Sequence, residues 1–456
     1  MKTAPPCERS GIDARPALAR PRFFYGWTIV VALGVTTILA YGTNQYLYAL
    51  LLDPVAHELG WSRAALAAGF SGVVLVSGFA GMAAGPIVDR YGARLPLSAG
   101  SVVSGLVLLA LSRTSSLAAW DALWTVGIGV GSALTYYPIT MTVVANWFAR
   151  RRTSALGLLT LMGAFSSTIT YPSAGLLIAR FGWREALVVL ALAHLLVALP
   201  LHALIVRRRP EDFHLAPDGE PLQPHDALAG TGESARDDFS ADAEGTSTDE
   251  HAIASDGATL RDALRMPAFW SLTVALSLAY FASTAILLQH VAYLVSRGYA
   301  PPAAASLVGL IGLAYIPGRI AVALLGARIS FAAALGGSFV LEAFGIAALA
   351  LHPSLAGVLV YVFAFGAAYG AMSPLRGAIA GHYFGRRAYG AIFGAQGIGV
   401  AVASAAAPIV TANLASRSGY SAAFLLCAAA LLAAAIALLP LARARSFAQR
   451  RATPPA

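Results

Sequence analysis

Two arginines lie inside stretches otherwise apolar enough to cross a bilayer. Arg319 ends the run Tyr315-Ile-Pro317-Gly318-Arg319, and Arg376 follows Pro374. A guanidinium in hydrocarbon is costly and therefore faces a cavity or a partner. Its planar fork matches a carboxylate through two parallel hydrogen bonds. Arg319 is the leading candidate for binding an organic anion; the alternative is pairing with a helix end or a carboxylate at a gate. Arg376, near the end of its segment, reads as a gate residue or as a side chain that snorkels to the interface. Tyr41, Gln45, Tyr136, Tyr137, Tyr280, His290, Tyr315 and Tyr369 are candidates to line the same site. Tyrosine hydroxyls can bond a hydroxy or keto group while the rings exclude water; each is equally suited to helix packing. His290, Glu342 and Asp121 are the side chains able to move a proton. A lone histidine or a carboxylate in a peripheral segment more often packs or pairs.

The elements that must hold these residues are membrane spans. The chain has 456 residues, 58% hydrophobic and only 12% charged, against roughly 25% charged in soluble domains. Repeated apolar blocks of about 20 residues or more predict transmembrane helices, six before and six after one long polar interval. That interval, 207–266, holds fourteen of the 22 carboxylates but six of the 31 basic residues, a net of −8 against +17 elsewhere. Rich in Pro, Gly, Ser and Asp, it reads as a largely disordered linker. The predicted organisation is a cytoplasmic tail (1–22), a six-helix bundle (23–206), the linker (207–266), a second six-helix bundle (267–441) and a C-terminal tail (442–456). Both tails, the linker and the Arg150–Arg152 cluster are basic or flank basic residues. Twenty-three basic residues fall on the side of the termini and six on the other, which predicts a cell inner (plasma) membrane protein with both termini cytoplasmic.

The net charge of +9 reflects these flanks and gives no nucleic-acid signal. Cys7 and Cys427 have no metal-ligand company. The first apolar run is too long for a signal peptide. No HExxH, GxSxG or Walker loop is present, so neither an enzyme nor a cofactor is expected. The first helix is expected from about Phe24 to Leu51, with Asp53-Pro54 already in the connection to Arg63. Tyr41, Gln45 and Tyr48 then share one face at i, i+4, i+7. A single helix is expected from about Ala118 to Trp147.

The halves repeat. Pro138 through Trp147-Phe148-Ala-Arg150-Arg151 is echoed by Pro374 through Tyr383-Phe384-Gly-Arg386-Arg387, and at the same offset Gly163 matches Gly399 and Pro172 matches Pro408. Parallel halves with a site on their shared axis are a known transporter plan.

The sequence Gly85-x-x-x-Asp89-Arg90-x-Gly92-x-Arg94 resembles the motif between helices 2 and 3 of the major facilitator superfamily. Tyr25-Gly26-Trp27, Gly60-Trp61-Ser62-Arg63, Asn146-Trp147-Phe148-x-Arg150-Arg151-Arg152, Gly182-Trp183-Arg184 and Gly318-Arg319 resemble its monocarboxylate transporter-like and oxalate/formate antiporter branch. The resemblance implies an all-α membrane fold of twelve helices in two pseudo-symmetric bundles. It implies that Gly85, Asp89, Arg90, Gly92 and Arg94 form an inner gate, with Arg376 beside it. It implies that Arg319 binds a substrate carboxylate. Antiporter members add a lysine on helix 11; here that region offers Gln396, which favours a monoanion. The expected function is secondary active transport of small monocarboxylates such as lactate or pyruvate by alternating access, coupled to protons, in a monomer. The alternatives are an exporter or antiporter of amphipathic organic compounds, or a transporter-like nutrient sensor.

Overall fold

The computed structural model describes residues 24–208, 210, 215–219, 258–325, 329–385 and 388–443. The described residues are helical, without strands, and contain twelve helices long and apolar enough to cross a membrane. These are α1 (Tyr25–Leu59), α2 (Arg63–Tyr91), α3 (Arg94–Arg113), α4 (Leu117–Trp147), α5 (Arg152–Phe181) and α6 (Trp183–Ile205). After the interval come α7 (Pro267–Ser296), α8 (Pro301–Gly309 with Ile311–Leu325), α9 (Phe331–Leu351), α10 (Leu355–Phe384), α11 (Tyr389–Ser418) and α12 (Tyr420–Leu441). An even number of crossings brings the first and last helices to the same end of the molecule, called here the termini end; the other is the far end.

Serine side chains start several of these helices. Ser62, Ser116, Ser330 and Ser354 each accept a hydrogen bond from the backbone N–H three residues on, satisfying donors that the first turn leaves orphaned. The first connection is shorter than the sequence suggested. Helix α1 continues through Asp53 and Pro54 to Leu59 because Leu47–Leu52 and Val55 are buried. Only Gly60–Ser62 then remain between the helices. Gly60 sits at φ +70°, a left-handed conformation that glycine adopts without a Cβ penalty. Asp53 accepts from Arg63 Nε at 2.7 Å across this turn.

Wide i→i+5 turns interrupt the first half at Gly42–Tyr46, Leu123–Ile128, His194–Ala198 and Leu201–Ile205. Such turns concentrate at functional positions. The turn in α1 corrects the shared face expected for Tyr41, Gln45 and Tyr48. It adds residues to the turn and rotates everything beyond it. Tyr48 packs instead inside the first half, 4.6 Å from Trp124 between ring centroids, and its hydroxyl donates to the Leu66 carbonyl. A second correction concerns α4, which breaks at Tyr136 (φ −81°, ψ 174°). Pro138 lacks the N–H that would bond the Leu134 carbonyl, and it is accommodated in the first turn of a new segment.

The interval 207–266, expected to be disordered, is structured at both described ends. The Asp218 carboxylate accepts from the backbone N–H groups of Ala149, Arg150 and Arg151 at 3.1, 2.6 and 3.3 Å. At the other end Thr259 and Asp262 form a reciprocal capping box for a short helix, Leu260–Leu264, so local hydrogen bonding outweighs the polar composition. The rest of the interval, the N-terminal tail, residues 444–456 of the C-terminal tail, Arg328, Arg386 and Arg387 lie outside the described residues.

Helices of the two halves meet along α5 and α8, α2 and α11, and the outer part of α1 with α7. The α5–α8 seam is lined by small residues: a Cβ on Gly312 would stand 2.3 Å from the Ala164 carbonyl oxygen. Small residues let backbones approach where lipid supplies no hydrophobic drive.

Candidate functional site

Arg319 lies on the α5–α8 seam. Gly318 is pressed against α10, where a Cβ would stand 1.9 Å from the Ala367 carbonyl oxygen. With that face occupied by backbone, Arg319 turns to the first half, and its Nη1 donates to the Thr160 carbonyl of α5 at 2.7 Å. The guanidinium is partly buried and pairs with no carboxylate among the described residues. The Tyr137 hydroxyl lies beside it, seated on Gly163 one turn along α5: a Cβ there would stand 1.9 Å from that hydroxyl.

Aromatic rings surround this point. Tyr41 stacks on Tyr136 with centroids 4.1 Å apart and planes at 11°, and lies 5.0 Å from Tyr137. Tyr315, one turn before Arg319, faces Tyr369 at 5.5 Å, and Tyr369 stacks on Phe365 at 5.7 Å. The Tyr315 hydroxyl is buried beside Tyr46 and has no hydrogen-bond partner in correct geometry among the described residues. Gln45 is partly buried in the wide turn between Tyr41 and Tyr46. Arg319, Tyr137, Tyr136, Tyr41, Tyr315 and Tyr369 are thus brought together from α1, α4, α8 and α10. One guanidinium among tyrosine hydroxyls can hold one carboxylate and bond a neighbouring oxygen.

Other expected members fall elsewhere. Tyr280 lies 5.4 Å from the Arg376 guanidinium, ring to Cζ, rather than beside Arg319. His290 is fully buried and bonded at both ring nitrogens, to the Tyr361 hydroxyl at 2.8 Å and the Tyr171 hydroxyl at 2.9 Å. Glu342 is buried between α9 and α7, where it accepts from Ser283 Oγ at 2.5 Å. Asp121 sits in the first half against Gly69, toward the far end. Asp121 therefore lies apart from the other two, whereas His290 and Glu342 both neighbour Tyr361, and none of the three is among the groups beside Arg319.

At the proposed gate, Gly92 turns at φ +78° against the stem of Arg208. Gly85 lies within α2. Arg90 and Arg94 are exposed, and no described residue of the second half bonds them. The Asp89 side chain lies outside the described part. The described bonds between halves run from the Arg319–Thr160 level to the far end: Thr168 Oγ1 donates to the Gly309 carbonyl at 2.8 Å, and Tyr171 Oη to the Leu287 carbonyl at 3.3 Å.

Sequence reasoning missed Tyr46, Tyr171 and Tyr361, which join the site to the His290 cluster, with Tyr46 and Tyr171 5.5 Å apart. It also missed a buried polar network in the first half. The His194 Nε2 lies 2.7 Å from the Thr43 hydroxyl, so two wide turns face each other. His202 bridges Ser101 and Thr36, both at 2.9 Å. The only sequence signal was a pair of histidines eight residues apart in an otherwise apolar helix.

Comparison with known proteins agrees with this architecture. The Major Facilitator Superfamily signature matches residues 33–335 and 291–455. The chain is 32% identical to monocarboxylate transporter 11 of Mus musculus over 208 residues, 44% of this chain and 42% of that protein. It is 24% identical to monocarboxylate transporter 13 of Bos taurus over 357 residues, 77% of this chain and 74% of that one. The matches to the first curated relatives span less than half of their lengths. Among solved structures, a bacterial homolog to the human lysosomal transporter Spinster, inward-facing and occupied, superimposes with a TM-score of 0.69 at 14% identity. That match covers 95% of this chain and 100% of that one, and it speaks for the fold alone.

Proposed function

The chain belongs to the Major Facilitator Superfamily, a multi-pass membrane transporter and not an enzyme, and on that premise we propose that it carries small monocarboxylates coupled to protons. The observation that carries this reading is Arg319, a guanidinium at the seam of the halves that donates to a carbonyl of the opposite half and lies beside the Tyr137 hydroxyl of that half. The bond to Thr160 must break whenever α5 and α8 part at this level. A bound carboxylate replaces it with two charge-assisted bonds, so substrate stabilises the state in which the halves have moved. The tyrosines around it donate to a keto oxygen, or donate to and accept from a hydroxyl, beside the carboxylate. Resemblance to monocarboxylate transporters supports the same class.

The halves rock about this site to expose it alternately. The excess of basic residues at the termini end supports a cytoplasmic location for both termini in the inner (plasma) membrane. The gate reading of Gly85, Asp89, Arg90, Gly92 and Arg94 belongs to the same cycle, closing the termini end when the far end opens. The protein works as a monomer in this reading.

Reconstitution in liposomes tests it. Uptake of lactate, pyruvate, formate and oxalate is measured with and without an inward proton gradient, for the wild type and Arg319→Gln. Gradient-stimulated uptake of a monocarboxylate, lost in the variant, is the expected result. Equal transport by the variant overturns the site; failure of all four acids while another solute moves overturns the substrate class.

A further inference from the structure

Arg376, like Arg319, lies away from the ends of its spanning helix, and it heads a pocket of its own. We propose that the pocket between α2 and α11 binds an amphipathic monoanion, with its carboxylate on Arg376 and its apolar body along the two helices. This site is separate from Arg319 and does not depend on that reading.

Four observations converge. First, Arg376 makes no hydrogen bond or ion pair with a described residue, and its Nε is buried without a partner. Sequence reasoning expected a gate pair or a snorkelling side chain; no described carboxylate is there to pair with. Second, two rings hold the guanidinium: its Cζ lies 4.1 Å from the Phe393 centroid and 5.4 Å from that of Tyr280. Such cation–π contacts stabilise the charge without consuming an N–H donor. The N–H donors lie in the guanidinium plane and bond no described residue, so the fork a carboxylate needs stays available.

Third, the pocket has a volume of about 230 Å³, and among the described residues Arg376 is the one charged residue lining it. Its walls are Leu75 and Phe79 of α2 and Ile398, Ala401 and Val402 of α11. At about 30 Å³ per water, the volume matches roughly eight waters, room for one small organic anion. An apolar chamber with a single cation favours a ligand with one charge and an apolar body. Phe79, Ile398 and Val402 are 61%, 59% and 59% exposed, so the chamber opens sideways, where an amphipathic molecule partitioned in the bilayer can enter. Fourth, a Cβ on Gly78, Gly394 or Gly397 would meet no atom within 4 Å. The space is real, and it can be filled without disturbing Arg376.

The test uses the full chain in nanodiscs of zwitterionic lipid, with octanoate as the probe and lactate as the comparator. Binding is followed by calorimetry for the wild type, Arg376→Gln, Gly397→Leu, Gly394→Val and Arg319→Gln, each checked for an unchanged melting temperature. The expected result is octanoate binding weakened about tenfold or more by Arg376→Gln and by either pocket-filling variant, and unchanged in Arg319→Gln. Octanoate affinity that Arg376→Gln and both glycine variants leave intact overturns the proposal, as does an absence of binding to the wild type. Loss in Arg319→Gln to the same degree also overturns it, by merging the two sites. Repeating the titration with anionic lipid in the disc identifies the source of the anion. Competition assigns the pocket to a lipid headgroup, and its absence assigns it to a free carboxylate; either outcome upholds the anion site.

Discussion

The imidazole of His290 in α7 bonds Tyr171 of α5, in the opposite half, through Nε2 at 2.9 Å, and Tyr361 of α10 through Nδ1 at 2.8 Å. Tyr171 donates its own hydroxyl hydrogen to the Leu287 carbonyl, so it accepts from Nε2–H, and Tyr361 donates to Nδ1. The chain Tyr361 to His290 to Tyr171 to Leu287 is thereby satisfied in one direction with the Nε2–H tautomer. It crosses the boundary between halves beyond the Arg319 level, where opening of the far end must break it.

Tyr171→Phe removes the acceptor for His290 and keeps the ring. A buried donor left unpaired costs about 1–3 kcal/mol, and that cost falls on the closed far end alone. The expected result is faster labelling of Asn413→Cys, at the far-end vestibule, by an impermeant maleimide, in a background with the native cysteines replaced. Unchanged labelling would mean that Tyr171 and His290 stay together through the cycle.

Arg319→Lys separates charge from shape. Lysine keeps a cation but loses the fork, so substrate affinity falls by roughly tenfold to a hundredfold, the equivalent of one charge-assisted bond. The KM for uptake reads this directly. A variant with wild-type KM would show that the substrate sees only a point charge.

Gly318→Ala tests the packing that aims Arg319. The new Cβ would stand 1.9 Å from the Ala367 carbonyl oxygen, and backbone cannot swing aside as a side chain can. Overpacking of this kind costs about 1–3 kcal/mol. A lowered melting temperature is expected, with transport reduced in the fraction that folds. A variant as stable as wild type would show that α8 and α10 shift apart freely.

The spans were legible because bilayer thickness fixes the length of each apolar run, and Arg319 because a charge within such a run is conspicuous. The partners of these residues were not legible. The wide turn at Gly42–Tyr46 has no hydropathy signature, yet it decides that Tyr46 and not Tyr48 reaches the site. Tyr280 reads like the other tyrosines, and only the crossing of α7, α10 and α11 places it on Arg376. Polar composition hid Asp218, whose three backbone contacts are formed with a turn nearly 70 residues earlier in sequence.

Asp218→Asn probes that contact. The carboxylate offers two oxygens to three N–H groups and places negative charge at the start of α5, where the helix dipole favours it. An amide offers one oxygen and no charge. Faster hydrogen exchange at Ala149, Arg150 and Arg151 is expected, with α5 beyond its first turn unaffected. Exchange unchanged at these three amides would show that the turn holds itself without the interval.

Glu342→Gln decides between packing and proton coupling at the buried carboxyl. Glu342 is wholly inaccessible, accepts from Ser283 Oγ through Oε1, and leaves Oε2 without a partner among the described residues. Tyr361 and Tyr369 are close enough to feel it, but it lies on α9, away from the Arg319 seam. Glutamine matches its shape and keeps an oxygen for Ser283, so a packing residue tolerates the change. The expected result is uptake that still rises with an inward proton gradient, and a melting temperature near that of wild type. If the variant instead exchanges substrate across the membrane but no longer responds to the gradient, proton coupling passes through Glu342. The path would then run behind the tyrosine wall of α10 rather than through the substrate site itself.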